Sequence, residues 1–184
     1  MDNYQNKLVF VGNMGAGKTT AIRSISDVEP ISTEMPMAPE EQTVEKSTTT
    51  VALDYSTVEL DEGELLHIYG VPGQKYLDFM WPMVCVGAMG IIVLVNACDP
   101  ARLESAADLL SEFSRLAPDA SFAVGVTRTD MAQDFQLVEF RDALLGRGYK
   151  LPVMKVDARE PTQVDFLVKA MLSCSYAGSK LLSA

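Results

Sequence analysis

Residues Gly12-Asn-Met-Gly-Ala-Gly-Lys-Thr19 place the tightest constraint on what this chain can become. Three glycines within six positions let the backbone curl until successive N–H groups converge, which makes a concavity for anions. The flanks decide whether such a loop forms. Lys7-Leu-Val-Phe-Val-Gly12 is a short apolar run that reads as a buried strand. From Gly17 to about Ile25 the pattern turns helical, with Ile22 and Ile25 on one face. The start of that helix adds the positive end of its dipole to the same concavity. In this strand–loop–helix context Asn13, Met14, Gly15, Ala16, Gly17, Lys18, Thr19 and Thr20 surround a polyphosphate. Lys18 reaches the β- and γ-phosphates, and the Thr19 hydroxyl ligates magnesium. The competing reading is a glycine-rich turn followed by a chance Lys-Thr.

The rest of the pattern alternates strands and helices. Strands are expected at Lys7–Gly12, Thr50–Leu60, Glu64–Tyr69, Met89–Asn96, Ser121–Thr127 and Pro152–Val156. Helices are expected from Gly17, at Tyr76–Val86 with a break at Pro82, and at Ala101–Leu116, Phe135–Leu145 and Thr162–Leu172. Asp61-Glu62-Gly63 is a hairpin gap, so the strands on either side of it pair antiparallel. The expectation is a three-layer α/β P-loop fold with a six-stranded, mostly parallel sheet and one antiparallel edge strand. Asp27–Ser47, with Pro30, Pro36 and Pro39, shows no periodicity and reads as a long loop. A loop of about 20 residues is uncommon inside a domain and is usually functional. Ligands of such sheets lie beyond the carboxyl ends of the strands.

Four further segments reach that end. Thr50, where the long loop meets the next strand, can offer a hydroxyl to magnesium, although threonine also suits a strand for its own sake. Within Gly70-Val-Pro-Gly73-Gln74, Gly73 can turn an N–H toward a γ-phosphate, and Gln74 can orient an attacking water. The same residues also suit a plain Pro-Gly turn. In Thr127-Arg128-Thr129-Asp130 the Asp130 carboxylate can accept from guanine N1–H and its exocyclic amine, a donor pair that adenine lacks. It can equally be a turn or capping aspartate. Asp157-Ala158-Arg159 can present the Ala158 N–H to guanine O6.

Composition narrows the classes. At 184 residues and 48% hydrophobic content the chain can bury one sizeable core, so one domain over residues 1–184 is expected. A net charge of −10 with scattered basic residues argues against nucleic acid and acidic membranes. Cys85, Cys98 and Cys174 lack metal-ligand spacing and suit a reducing cytoplasm. Asp2 excludes myristoylation, and the ending Leu181-Leu-Ser-Ala184 is no prenylation box, so no direct membrane anchor is expected.

These motifs, in this order, resemble the Ras-like small GTPases from about Lys7 to Leu172. Gly70-Val-Pro-Gly-Gln74 and Thr48-Thr-Thr-Val-Ala-Leu-Asp-Tyr55 are most similar to the bacterial branch that includes the MglA-type proteins. The resemblance implies a GTP/GDP switch with Mg2+, slow hydrolysis, and a Roadblock-type protein as partner. The surface expected for that partner is Phe79 and Trp81 with the switch loops, while Leu77, Met80 and Val84 face inward; the alternative is a segment wholly buried under the third helix. Two departures stand out. The family's aspartate before Pro-Gly is Gly70 here; Asp54 on the neighbouring antiparallel strand can substitute for it, or can equally be an ordinary edge-strand aspartate. The usual Asn-Lys-x-Asp is Thr127-Arg128-Thr129-Asp130, which removes the asparagine that braces the phosphate loop. No arginine is evidently placed as a finger, since Arg23 reads as a surface charge. A non-hydrolysing interaction module is the alternative. A P-loop kinase or ATPase is a third reading, disfavoured by the lack of a basic lid and by Asp130.

Overall fold

A computed structural model describes residues 6–35, 51–60 and 63–181 of the chain. Thr50 therefore lies outside the described residues. Strand β1 (Asn6–Gly12) leads through the phosphate loop into α1 (Lys18–Ile25), and then β2 (Ile31–Met35) follows. After residue 50 come β3 (Val51–Glu59) and β4 (Leu65–Pro72), a 3₁₀ helix (Lys75–Met80), and α2 (Trp81–Cys85). The remaining elements alternate: β5 (Gly90–Asn96), α3 (Arg102–Leu116), β6 (Ser121–Thr127), α4 (Leu137–Gly146), β7 (Val153–Lys155) and α5 (Pro161–Leu181).

The described residues form a sheet of seven strands in the order β2-β3-β4-β1-β5-β6-β7, not six. The additional strand is β2, which falls inside the segment read as a loop. It pairs antiparallel with β3 over Ile31↔Tyr55 to Met35↔Val51. Pro30 precedes this short strand rather than interrupts it, which suits an edge strand. Only β3 runs against its neighbours, so the antiparallel strand is second from the edge and not at it. Strand β4 also continues past Tyr69 to Pro72, which places Gly70 inside the ladder.

Side chains alternate across the sheet and build two cores. Leu8, Phe10, Ile68, Ile92 and Leu94 face α1 and α5, where Ile22, Val164, Leu167 and Met171 meet them. Val9, Val11, Val71, Val93 and Val95 face the other way, against Trp81, Val84, Leu110 and Phe113. Strands buried on both faces need such continuous apolar runs. None of the described helices is long and apolar enough to cross a membrane.

The segment after Gln74 differs from the expected single helix. It begins as a 3₁₀ helix, and Pro82 lies in the first turn of α2, where its missing N–H leaves no bond unmade. Leu77, Met80 and Val84 are buried as expected. Trp81, however, is core and not partner surface. It is 3% exposed, its ring lies 5.0 Å from that of Phe113, and its Nε1–H donates to the Pro72 carbonyl at 3.0 Å. Phe79 remains outside at 65% exposure. Trp81→Ala is accordingly expected to destabilise the protein by about 3–5 kcal/mol in urea unfolding. A loss below about 1 kcal/mol would contradict this packing.

Candidate functional site

The phosphate loop hangs between the end of β1 and the start of α1. Gly17 caps the helix at φ 91°, a left-handed conformation that a side chain would strain, and a Cβ there would stand 3.2 Å from Ala158 Cβ. Lys18 folds back over the loop, and its Nζ donates to the carbonyls of Gly12 (2.8 Å) and Asn13 (3.2 Å). Burial lowers the Lys18 pKa, and the nearby Asp54 charge opposes that shift. Met14 points outward at 82% exposure. The Gly73 N–H, expected to face a phosphate, donates here to the Gly12 carbonyl at 3.0 Å. Lys18 and Gly73 therefore share one acceptor.

Beside Thr19 lies a buried carboxylate. Asp54 on β3 is 3% exposed and accepts two hydroxyl hydrogen bonds. Thr19 donates to Oδ2 at 2.5 Å, and Ser32 donates to Oδ1 at 2.6 Å. Asp54 pairs directly with Gly70 in the ladder. A Cβ built on Gly70 would lie 3.0 Å from Asp54 Cβ and 3.1 Å from Asp54 Oδ2. The Asp54 side chain thus fills the space that a side chain at position 70 would take. Among the described residues no three His, Cys, Asp or Glu gather as a metal cage. One carboxylate beside one threonine hydroxyl instead fits magnesium, which uses few protein ligands and takes its other positions from phosphates and water.

On the other side of Gly17 a cavity of about 490 Å³ opens. Gly17 and Thr20 line it together with Thr127–Met131 and Lys155–Arg159, so three segments distant in sequence meet there. Asp130 is exposed, and no hydrogen bond to its carboxylate is found among the described residues. Asp157 and Arg159 form a forked pair at 2.6–3.2 Å. The Arg159 hydrogen bonds hold the Asp157 carboxyl at about 2, below the usual carboxylate range. Arg128 takes a left-handed backbone, φ 56°.

The brace that the sequence appeared to lack is present in another form. The buried Thr127 hydroxyl lies 3.0 Å from the Ala16 carbonyl and 3.2 Å from that of Val95, and it joins β6 to the phosphate loop. Reading the motif by residue type hid this, because a threonine hydroxyl reaches where an asparagine amide was sought. Gln74 sits between β4 and the 3₁₀ helix, and its buried Oε1 has no hydrogen-bond partner among the described residues. Arg23 is paired at the surface with Glu29, away from any role as a finger. Ser32, Lys155 and Gln163, which lines the cavity and accepts from the Asp157 N–H at 2.9 Å, lie outside the sequence motifs. Ser32 lay in the segment read as a loop, and the other two carry no motif.

Comparison with known proteins agrees with this geometry at a coarse level. Residues 28–145, well over half of the chain, match a family described as conserved hypothetical ATP binding proteins. The matched stretch begins after the phosphate loop and ends before Asp157. The chain is also similar to the Ras-related protein RABD2a of Arabidopsis thaliana, at 25% identity over 174 residues, which cover 92% of this chain and 79% of that protein.

The Thr127 brace generates a prediction. Thr127→Val keeps the shape but leaves the Ala16 carbonyl without its donor, so stability should fall by about 1–3 kcal/mol in urea unfolding. Thr127→Ser should restore most of it. Equal stability of the serine and valine variants would mean that the hydroxyl does not brace the loop.

Proposed function

The chain belongs to the family of conserved hypothetical ATP binding proteins that its residues 28–145 match, and we propose that this P-loop nucleotide-binding protein is a magnesium-dependent GTP/GDP switch with slow hydrolysis. The observation that carries this reading is the single cavity beside Gly17, where Thr127–Asp130 meets Asp157–Arg159. On this reading Lys18 leaves the Gly12 and Asn13 carbonyls for the β- and γ-phosphates. Asp130 accepts from the guanine edge, Ala158 offers its N–H to O6, and the Arg128 and Arg159 stems cover the base. Thr19 supplies a hydroxyl to the cation, Asp54 supplies the carboxylate that Gly70 lacks, and Thr50 supplies a second hydroxyl. Magnesium, when bound, neutralises charge on the β- and γ-phosphate oxygens.

Gln74 is the residue proposed to orient the attacking water. A second reading, a nucleotide-binding module without turnover, is favoured by the buried, unpartnered Gln74 Oε1 and by the Gly73 N–H bonded to Gly12. Hydrolysis would need both groups to move. A partner that grips the exposed Tyr76, Phe79, Met83 and Val86 would supply that movement, and a Roadblock-type protein is the partner proposed.

Fluorescent-nucleotide titration tests the base and the phosphates together. GTP should bind at least tenfold tighter than ATP, a difference of about 1.4 kcal/mol. Asp130→Asn should remove that preference, and Lys18→Ala should remove tight binding of both without unfolding the protein. The family's description names ATP, so equal affinity for the two nucleotides, or a preference for ATP, would overturn the guanine reading.

A further inference from the structure

Asp54 has two oxygens, and the two are held by different elements. Oδ2 receives the Thr19 hydroxyl from α1, while Oδ1 receives the Ser32 hydroxyl from β2. Ser32 and Asp54 are direct partners in the β2–β3 ladder, so their side chains leave the same face of the sheet side by side. With Gly70 as the opposite neighbour of Asp54, nothing on β4 competes for the carboxylate. Rotation about the last bond of a free aspartate exchanges its oxygens or presents both at once. Here the Ser32 bond at 2.6 Å fixes Oδ1 at the β2 side and leaves Oδ2 toward the loop.

We infer that Ser32 is a positioning residue for cation binding: its hydroxyl orients the Asp54 carboxylate so that one oxygen alone faces Thr19 and the phosphate loop. The inference rests on the proposal that a divalent cation binds beside Thr19. Magnesium demands near-octahedral geometry with short bonds, for which one well-aimed carboxylate oxygen suits better than a chelating pair. Groups that orient a ligand by hydrogen bonding shift metal affinity by about 10–100-fold when they are lost. A second consequence follows from topology. β2 is the edge of the described sheet and is joined to the proposed cation site by this side-chain bond, so cation loading and the seating of the edge strand support each other.

The test compares Ser32→Val with Ser32→Thr. The two are close in shape and both favour a strand, but only threonine keeps a hydroxyl. Release of a fluorescent guanine nucleotide is followed across a magnesium titration, and nucleotide affinity is measured separately in excess EDTA. In wild type, magnesium should slow release. Ser32→Val should require about tenfold more magnesium for the same effect, with its affinity in EDTA unchanged, and Ser32→Thr should behave as wild type. Wild-type behaviour of Ser32→Val would overturn the inference. Equal impairment of both variants, or an equal loss of affinity in EDTA, would overturn it too, because Ser32 would then be a packing residue. A wild-type protein that binds nucleotide with no response to magnesium would instead refute the cation site itself, and the inference with it.

Discussion

A carboxylate at 3% exposure persists in a fold only when its oxygens are bonded, and Asp54 meets this demand with hydroxyls from two different elements. The arrangement depends on a gap. Gly70 stands opposite Asp54 in the ladder, and a side chain there would press on Asp54 and on Ile22 Cδ1, the latter at 2.6 Å. The glycine is therefore the space into which the carboxylate fits. From this point the constraint spreads outward. Thr19 is fixed at the start of α1, Ser32 at the sheet edge, and Lys18 lies close enough to feel the charge. Replacing Asp54 by an apolar residue would leave two hydroxyls without their acceptor beside the half-buried Lys18.

The other half of the site is organised by β6. Thr127 ties that strand to the Ala16 carbonyl, and it also lines the cavity that Asp130 and Ala158 share. The loop and the cavity are thus joined through a buried hydroxyl and through Gly17, whose close approach to Ala158 a larger residue would block. The Gly73 turn is bonded to the same loop through Gly12, so any movement of Gln74 is coupled to where Lys18 places its charge.

Much of this was legible in the sequence because it depends on local chemistry. The apolar run before Gly12 and the helical period after Gly17 sufficed to place the phosphate loop between a strand and a helix, as found. Buried strands such as Gly90–Asn96 and Ser121–Thr127 announced themselves through continuous apolar residues. Elements that exist through long-range pairing did not. Strand β2 is five residues long, after Pro30, and its ladder is with the distant β3. Trp81 looked like an interface anchor because its partners, Phe113 and the Pro72 carbonyl, are distant or backbone groups that no local pattern reveals. Asp54 was visible as a possible substitute for the residue missing at Gly70, but choosing it required the register of two strands.

The central claim is that Asp54 does from β3 what a carboxylate at position 70 would do from β4, and moving the carboxylate back tests it directly. Asp54→Gly opens the space, and Gly70→Asp in the same chain refills it from the neighbouring strand, with the flexible end of Ile22 giving way. The measurement is the magnesium dependence of nucleotide release. The account predicts that Asp54→Gly alone abolishes the dependence and that the double variant recovers at least part of it. Undiminished magnesium dependence in Asp54→Gly would contradict the account.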